Sequence, residues 1–263
     1  MPPARKPRPR SYDPAKIRTA VTVQFAHVAE AVKELDEEAL ARPTHVGSWT
    51  VADLAAHLAW AVGSLADAAA RPAANSAQVT VQSWPSVTAP VAAKIADAHR
   101  TGPEEPLGVL YERTAARLGE LLTVLPDDRL LALGIGGMRV ADFLVTRTVE
   151  LVVHTDDLNR AGGLSIPFER QALAACTRVL ADALAVRAPG GSVEVRIPPF
   201  AVVQCIAGPR HTRGTPPNVV EADPLTWVRL ATGRVPWQEA LEAVAVRASG
   251  ERADLSGVLP VMS

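Results

Sequence analysis

Cysteine, aromatic side chains and lysine are all scarce in this 263-residue chain. Cys176 and Cys205 are the only thiols, and neither stands in a CxxC or another metal-ligand spacing. A thiolate-held metal cluster is therefore excluded, and each cysteine reads as a small buried hydrophobe in a reducing compartment. Charge of one sign is also missing: 27 basic residues face 28 acidic ones, for a net charge of -1. That balance gives no electrostatic footprint for nucleic acid. No apolar run reaches the length of about 18 residues that a membrane span needs, and no apolar h-region follows the basic start. The expected setting is the cytoplasm, with no membrane partner. There is no GxSxG nucleophile elbow. The "GIGG" at 134–137 lacks the Lys-Ser/Thr of a phosphate loop and a strand before it.

Periodicity organises what remains. Residues 1–12 interleave Arg5, Lys6, Arg8 and Arg10 with prolines and read as a disordered basic tail. Asp13-Pro14 then places an N-cap before a proline at the first helical position. Ile17, Val21, Phe25, Val28, Val32 and Leu35 follow at three- and four-residue steps. A second helix starts at Thr50, with Asp53 closing a variant capping box. Its apolar face runs Val51, Leu54, Leu58, Val62 and Leu65. Residues 71–91 read as a loop or irregular crossover. Leu107–Leu125 and Val140 to about Arg160 supply two more helices. Four long amphipathic helices with one long connection describe a bundle. Past Gly162-Gly163 comes another helix, Phe168–Arg187, and around Gly190-Gly191 the period switches from 3.6 to 2. "SVEVRIP", "AVVQCIA", "NVVEAD" and "AVAVRASG" are short strand candidates. Asp223-Pro224 opens a short helix that closes near Gly233. The fold class is α+β, an all-helical bundle followed by a smaller α+β domain, with no strand pairing expected inside residues 13–160.

The fourth helix carries a polar stripe through apolar surroundings. In "VADFLVTRTVELVVHTDDL", Arg147, Glu150, His154 and Asp157 are spaced by three, four and three, on nearly one line of a 3.6-residue helix. His57 sits mid-helix in the second segment, near its apolar face. Two readings compete. The histidines are core residues satisfied by ion pairing, or His57, Glu150 and His154 converge as two nitrogen donors and one oxygen donor for a divalent metal with an open position. Arg147 has three candidate roles: orienting Glu150, which we favour, binding a substrate carboxylate, or pairing with a surface acid. Asp157 reads either as a support for the second ring nitrogen of His154 or as a solvated residue near a helix end. Asp53 reads as a capping group. His27, His45, His99 and His211 lie off the apolar faces and read as surface residues.

"GSWTVADLAAHLAW", with His57, and "RTVELVVHTDDL", with Arg147, Glu150, His154 and Asp157, together resemble the metal-binding domain of the mycothiol-dependent maleylpyruvate isomerase family, part of the wider DinB-like group of four-helix metalloproteins. The resemblance covers roughly residues 13–165. It implies that the family's His, Glu, His metal triad falls on His57, Glu150 and His154, and that the cofactors are a divalent metal such as zinc and the small thiol mycothiol. The remaining chain, residues 166–263, with "DPLTWVRLATGR" and "VRASGERADLSGVLP", is similar to sterol-carrier-protein-like domains. The family also implies a functional arginine in its second domain. Arg229 and Arg234 lie in the right region, and the role is assigned to neither.

The resulting expectation is a metal-dependent isomerase or thiol transferase acting on a small electrophile, with Arg147 in the catalytic apparatus. The alternative is an apolar-ligand carrier with a structural or vestigial metal. A third reading is an inactive stress-response bundle.

Overall fold

The structure, a computed structural model, describes residues 9–98, 105–208 and 216–262, with the backbone alone for 93–98. Asp13 accepts from the amides of Ala15 and Lys16, and Pro14 sets the first turn of α1 (Pro14–Lys33). Its buried face is Ile17, Val21, Phe25, Val28 and Val32. A short α2 (Glu37–Ala41) leads to α3 (Val51–Ala69), whose start is a capping box between Thr50 and Asp53. Thus Asp53 is a cap, as its position in the sequence suggests.

The connection that follows differs from expectation. Residues 71–91 are not a loop throughout, because α4 (Trp84–Ala98) begins within them. Two prolines hid it. Pro85 suits a first turn, and Pro90 gives up one helix hydrogen bond inside the element. The indole of Trp84 is buried. After α5 (Leu107–Val124) a second correction arises: β1 (Leu130–Leu133) pairs antiparallel with β2 (Gly136–Arg139). The bundle is therefore not all-helical. The "GIGG" segment supplies this hairpin's two-residue turn, Gly134-Ile135, and the first two residues of β2. Gly137 is required there, since a Cβ would lie 2.1 Å from the carbonyl oxygen of Ser76. Its carbonyl in turn accepts from the amides of Gln78 and Val79 at 2.8 and 3.0 Å.

The hairpin feeds α6 (Val140–Gly162), which ends on Gly163 in the left-handed region, φ 64°. Helices α1, α3, α5 and α6 form the four-helix core. Leu54, Leu58 and Leu65 of α3 and Leu144, Leu151 and Leu158 of α6 all lie in this core, essentially without exposure. Cutting any of these leucines to alanine costs about 2–5 kcal/mol. Phe25 stacks on Tyr111 at 5.0 Å between centroids, and the Tyr111 hydroxyl donates to the Ala55 carbonyl.

Helix α7 (Arg170–Arg187) packs on α1 and α6 with one face and on the second domain with another. Beyond it, β3 (Val193–Ile197), β4 (Ala201–Cys205) and β5 (Val219–Ala222) precede α8 (Pro224–Ala231), α9 (Trp237–Glu242) and β6 (Val246–Ser249). The sheet order is β4-β3-β5-β6, with β3 and β5 parallel and the outer pairs antiparallel. All four expected strands are present. The short α9 had no periodic signal. Of the basic tail, residues 1–8 lie outside the described residues, and Arg10 is held at 2.9 Å by Asp182 of α7.

Candidate metal centre

Helix α6 is buried almost along its whole length up to Leu158, so its polar side chains must find partners inside the protein. The three-four-three spacing aims Arg147, Glu150, His154 and Asp157 along one stripe that faces α3 and the second domain. The capping box fixes where α3 begins and so where His57, two turns in, meets that stripe.

His57 Nε2 lies 3.4 Å from Glu150 Oε2, and His154 Nε2 lies 3.5 Å from the same oxygen. One donor atom from each residue falls within 4.8 Å of the others. His57 and His154 are 5% and 9% exposed, so the cluster is largely shielded from water. The two imidazoles meet edge to face at 5.0 Å, and Trp49 covers both, 4.9 Å from the His57 ring and 6.4 Å from that of His154.

Behind this cluster, His154 Nδ1 is 3.0 Å from Asp157 Oδ2. Asp157 has no exposed side-chain surface and also accepts from Arg234 of the second domain, from Nη2 at 2.9 Å and Nε at 3.2 Å. Hence Asp157 supports the second ring nitrogen and is not a solvated helix-end residue. With Nδ1 donating to a carboxylate, the tautomer assigned to His154 leaves its Nε2 lone pair directed at the cluster. The donor set fits a divalent metal: two borderline nitrogens, one carboxylate oxygen and a carboxylate behind one histidine.

The electrostatics follow from these contacts. Burial works against the Glu150 carboxylate, yet in the metal-free protein its side-chain contacts with His154 and His57 and the charge of Arg147 hold it well below the usual carboxylate range. Burial likewise disfavours a charged His154, but Asp157 and Glu150 outweigh it and raise its proton affinity. Metal and proton thus compete for the same ring nitrogen.

Arg147 is buried, at 7% exposure, with Nη2 4.0 Å from Glu150 Oε1. It donates to the Ala61 carbonyl at 3.0 Å and to Thr146 Oγ1, and lies over the Phe143 ring at 4.4 Å. These contacts place it behind Glu150 and tie α6 to α3.

The pairing of Arg229 and Arg234 was not legible in the sequence. Arg229 forms a two-pronged contact with Asp156, at 2.8 and 2.6 Å, beside the Arg234–Asp157 pair. The only sequence signal was two adjacent acids, Asp156 and Asp157, inside an apolar helix, where each needs a cation. Trp49, over both imidazoles, gave no signal. His27 bonds the Pro167 carbonyl, and His45 is exposed, while His99 and His211 lie outside the described residues. Both cysteines are free and buried. Burial pushes the Cys205 thiol up to about 11 and that of Cys176 higher, so neither offers a thiolate near neutral pH.

Residues 21–159 match the family model described as the mycothiol maleylpyruvate isomerase N-terminal domain. The chain belongs to this family. Residues 169–261 match a second model, described as a bacterial SCP ortholog. The fold is that of two solved structures of the mycothiol-dependent maleylpyruvate isomerase. One of them shares 17% identity with a TM-score of 0.59, over 90% of this chain and 93% of that one. The other, a histidine-to-alanine mutant, shares 16% with the same TM-score and coverage. No curated protein sequence matches the chain. The two-part layout, a helical domain followed by a small sheet domain, is shared with these structures over 90% of the chain. Among the described residues no helix is long and apolar enough to cross a membrane.

Proposed function

We propose that this protein is a metal-dependent enzyme that uses mycothiol to isomerise, or transfer the thiol to, a small electrophile of the maleylpyruvate type. The observation that carries the reading is the convergence of His57, Glu150 and His154 within 4.8 Å, backed by Asp157. These three would hold the metal, and zinc suits the set best. A divalent ion there supplies Lewis acidity that turns a coordinated thiol into a thiolate near neutral pH.

The chain's own residues do the rest. Glu150, kept ionised by its neighbours, contributes negative charge without taking a proton. Asp157 fixes the ring plane of His154. Arg147 is a positioning residue that holds Glu150 and the α3–α6 contact. Trp49 excludes water from the two imidazoles. Because both protein thiols are buried and protonated, the nucleophile comes from outside the chain. Free thiols also suit the reducing cytoplasm in which we place the protein. We set the junction of the two domains at 165–166, with α7 bridging them.

The carrier reading is not favoured. It calls for an apolar tunnel within the second domain, whereas the large cleft of about 690 Å³ is polar in part and lies between that domain and the loop at 45–47.

The test is an assay of the purified full chain with mycothiol and maleylpyruvate, before and after chelation. Turnover that needs both thiol and metal supports the reading. A metal-loaded protein with no thiol-dependent turnover on maleylpyruvate or related electrophiles contradicts it.

A further inference from the structure

Arg160 is a charged residue of α6 that the metal centre leaves unused. It stands six residues beyond His154, about 9 Å further along the helix axis. There it lines the cleft of about 690 Å³, together with His45, Thr232, Arg234, Trp237 and Gln238. That volume is within the usual range for small-molecule sites. Among the described residues, no aspartate or glutamate lines it.

The cleft's two arginines differ in their commitments. Arg234 is engaged by Asp157 and by the Thr232 carbonyl. Arg160 has a buried Nη1 with no hydrogen-bond partner among the described residues. An arginine in a last helical turn ordinarily meets the terminal carbonyls. Here two of those acceptors are taken: the Gly162 carbonyl by Arg42, and the Asn159 carbonyl by the amides of Gly163 and Leu164. A buried guanidinium nitrogen left without an acceptor is unfavourable. What that nitrogen lacks is an oxygen acceptor, and a guanidinium fork matches a carboxylate in shape and charge.

We propose that this cleft is a carboxylate-binding site in which Arg160 receives a carboxylate of the substrate. The cleft is linked to the candidate metal centre through one wall residue, Arg234, which holds Asp157 behind His154. An acidic substrate anchored at Arg160 would therefore extend its reactive end toward His57, Glu150 and His154. The assignment of the bound carboxylate to a substrate rests on the proposed function, but the anion site itself does not.

The experiment titrates the metal-free full chain with sodium maleate, following tryptophan emission, since Trp237 lines the cleft, and heat of binding. Saturable binding is expected, weakened about tenfold or more in Arg160→Ala and less in Arg160→Lys. The neutral diamide of maleic acid should not bind. His57→Ala, which removes a metal donor, should bind maleate like wild type, so failure of the metal reading leaves this result standing. In active enzyme, Arg160→Ala should raise KM for the acidic substrate and leave KM for the thiol unchanged. No saturable maleate binding, or binding unchanged in folded Arg160→Ala and Arg160→Gln, overturns the proposal without touching the metal centre.

Discussion

His154 Nδ1 and Asp157 Oδ2 are 3.0 Å apart, one helical turn along α6, and the carboxylate has no exposed side-chain surface. That contact fixes one ring nitrogen and commits the other to the cluster with His57 and Glu150. It also joins the candidate metal centre to the second domain, because Arg234 holds the same carboxylate.

Asp157→Asn should therefore weaken divalent metal binding by about 10- to 100-fold, the usual effect of losing a carboxylate behind a metal-binding histidine. Competition against a chromophoric chelator measures it. An affinity equal to wild type would show that Asp157 does not support His154.

The same residue gives a pH signature to the metal-free protein. Burial raises the Asp157 carboxyl, but His154 and Arg234 overcome it and hold the group far below the ordinary value. A depressed carboxylate contributes stability that is complete above its unfolded pKa of about 3.9 and disappears as pH falls through the folded one. Wild type should thus exceed Asp157→Asn in stability at neutral pH, and the two should converge in strong acid. Urea unfolding across that range checks the sign.

The two interdomain arginines should not be equivalent. Arg234→Ala removes the only fixed cation of a fully buried carboxylate, leaving it His154 alone, and should cost about 3–5 kcal/mol. Arg229 is 31% exposed on its side chain, so water can partly replace it, and Arg229→Ala should cost about 1–2 kcal/mol. Equal losses in denaturant melts would contradict this ranking.

Arg147→Lys keeps a positive charge near Glu150 but not the fork that reaches Ala61 and Thr146 together. It should retain metal while losing about tenfold or more in kcat, because Glu150 loses its fixed position. Metal content with steady-state kinetics separates this outcome from simple metal loss.

Gly137→Ala tests the hairpin. Its Cβ would lie 2.1 Å from the Ser76 carbonyl oxygen, so the 74–79 segment must move. A loss of about 2–3 kcal/mol is expected, read as a lowered thermal midpoint.

Much of this was legible in the residues. The helices α1, α3, α5, α6 and α7 declared themselves through a 3.6-residue apolar repeat, sharpened by the N-caps of α1 and α3, and the strand candidates were short apolar or alternating runs. His57, Glu150 and His154 were legible because helical spacing puts Glu150 and His154 on one face. The hairpin at 130–139 escaped because its two strands are four residues each and its glycines resembled a loop. Helix α4 escaped because Pro85 and Pro90 read as breakers. The Arg229–Asp156 and Arg234–Asp157 pairs join residues 73 and 77 positions apart, and no local pattern carries such a contact. Trp49 lies in a loop whose path over the imidazoles is set by tertiary packing alone.

The central claim is that the His57–Glu150–His154 centre, loaded with metal, activates an external thiol. The most direct measurement follows thiolate absorbance against pH for mycothiol mixed with zinc-loaded protein, with metal-free protein and His57→Ala as references. The account predicts a bound thiol that ionises well below its free value of about 8.5, and only when metal is present. A thiol titration unchanged by metal would contradict it.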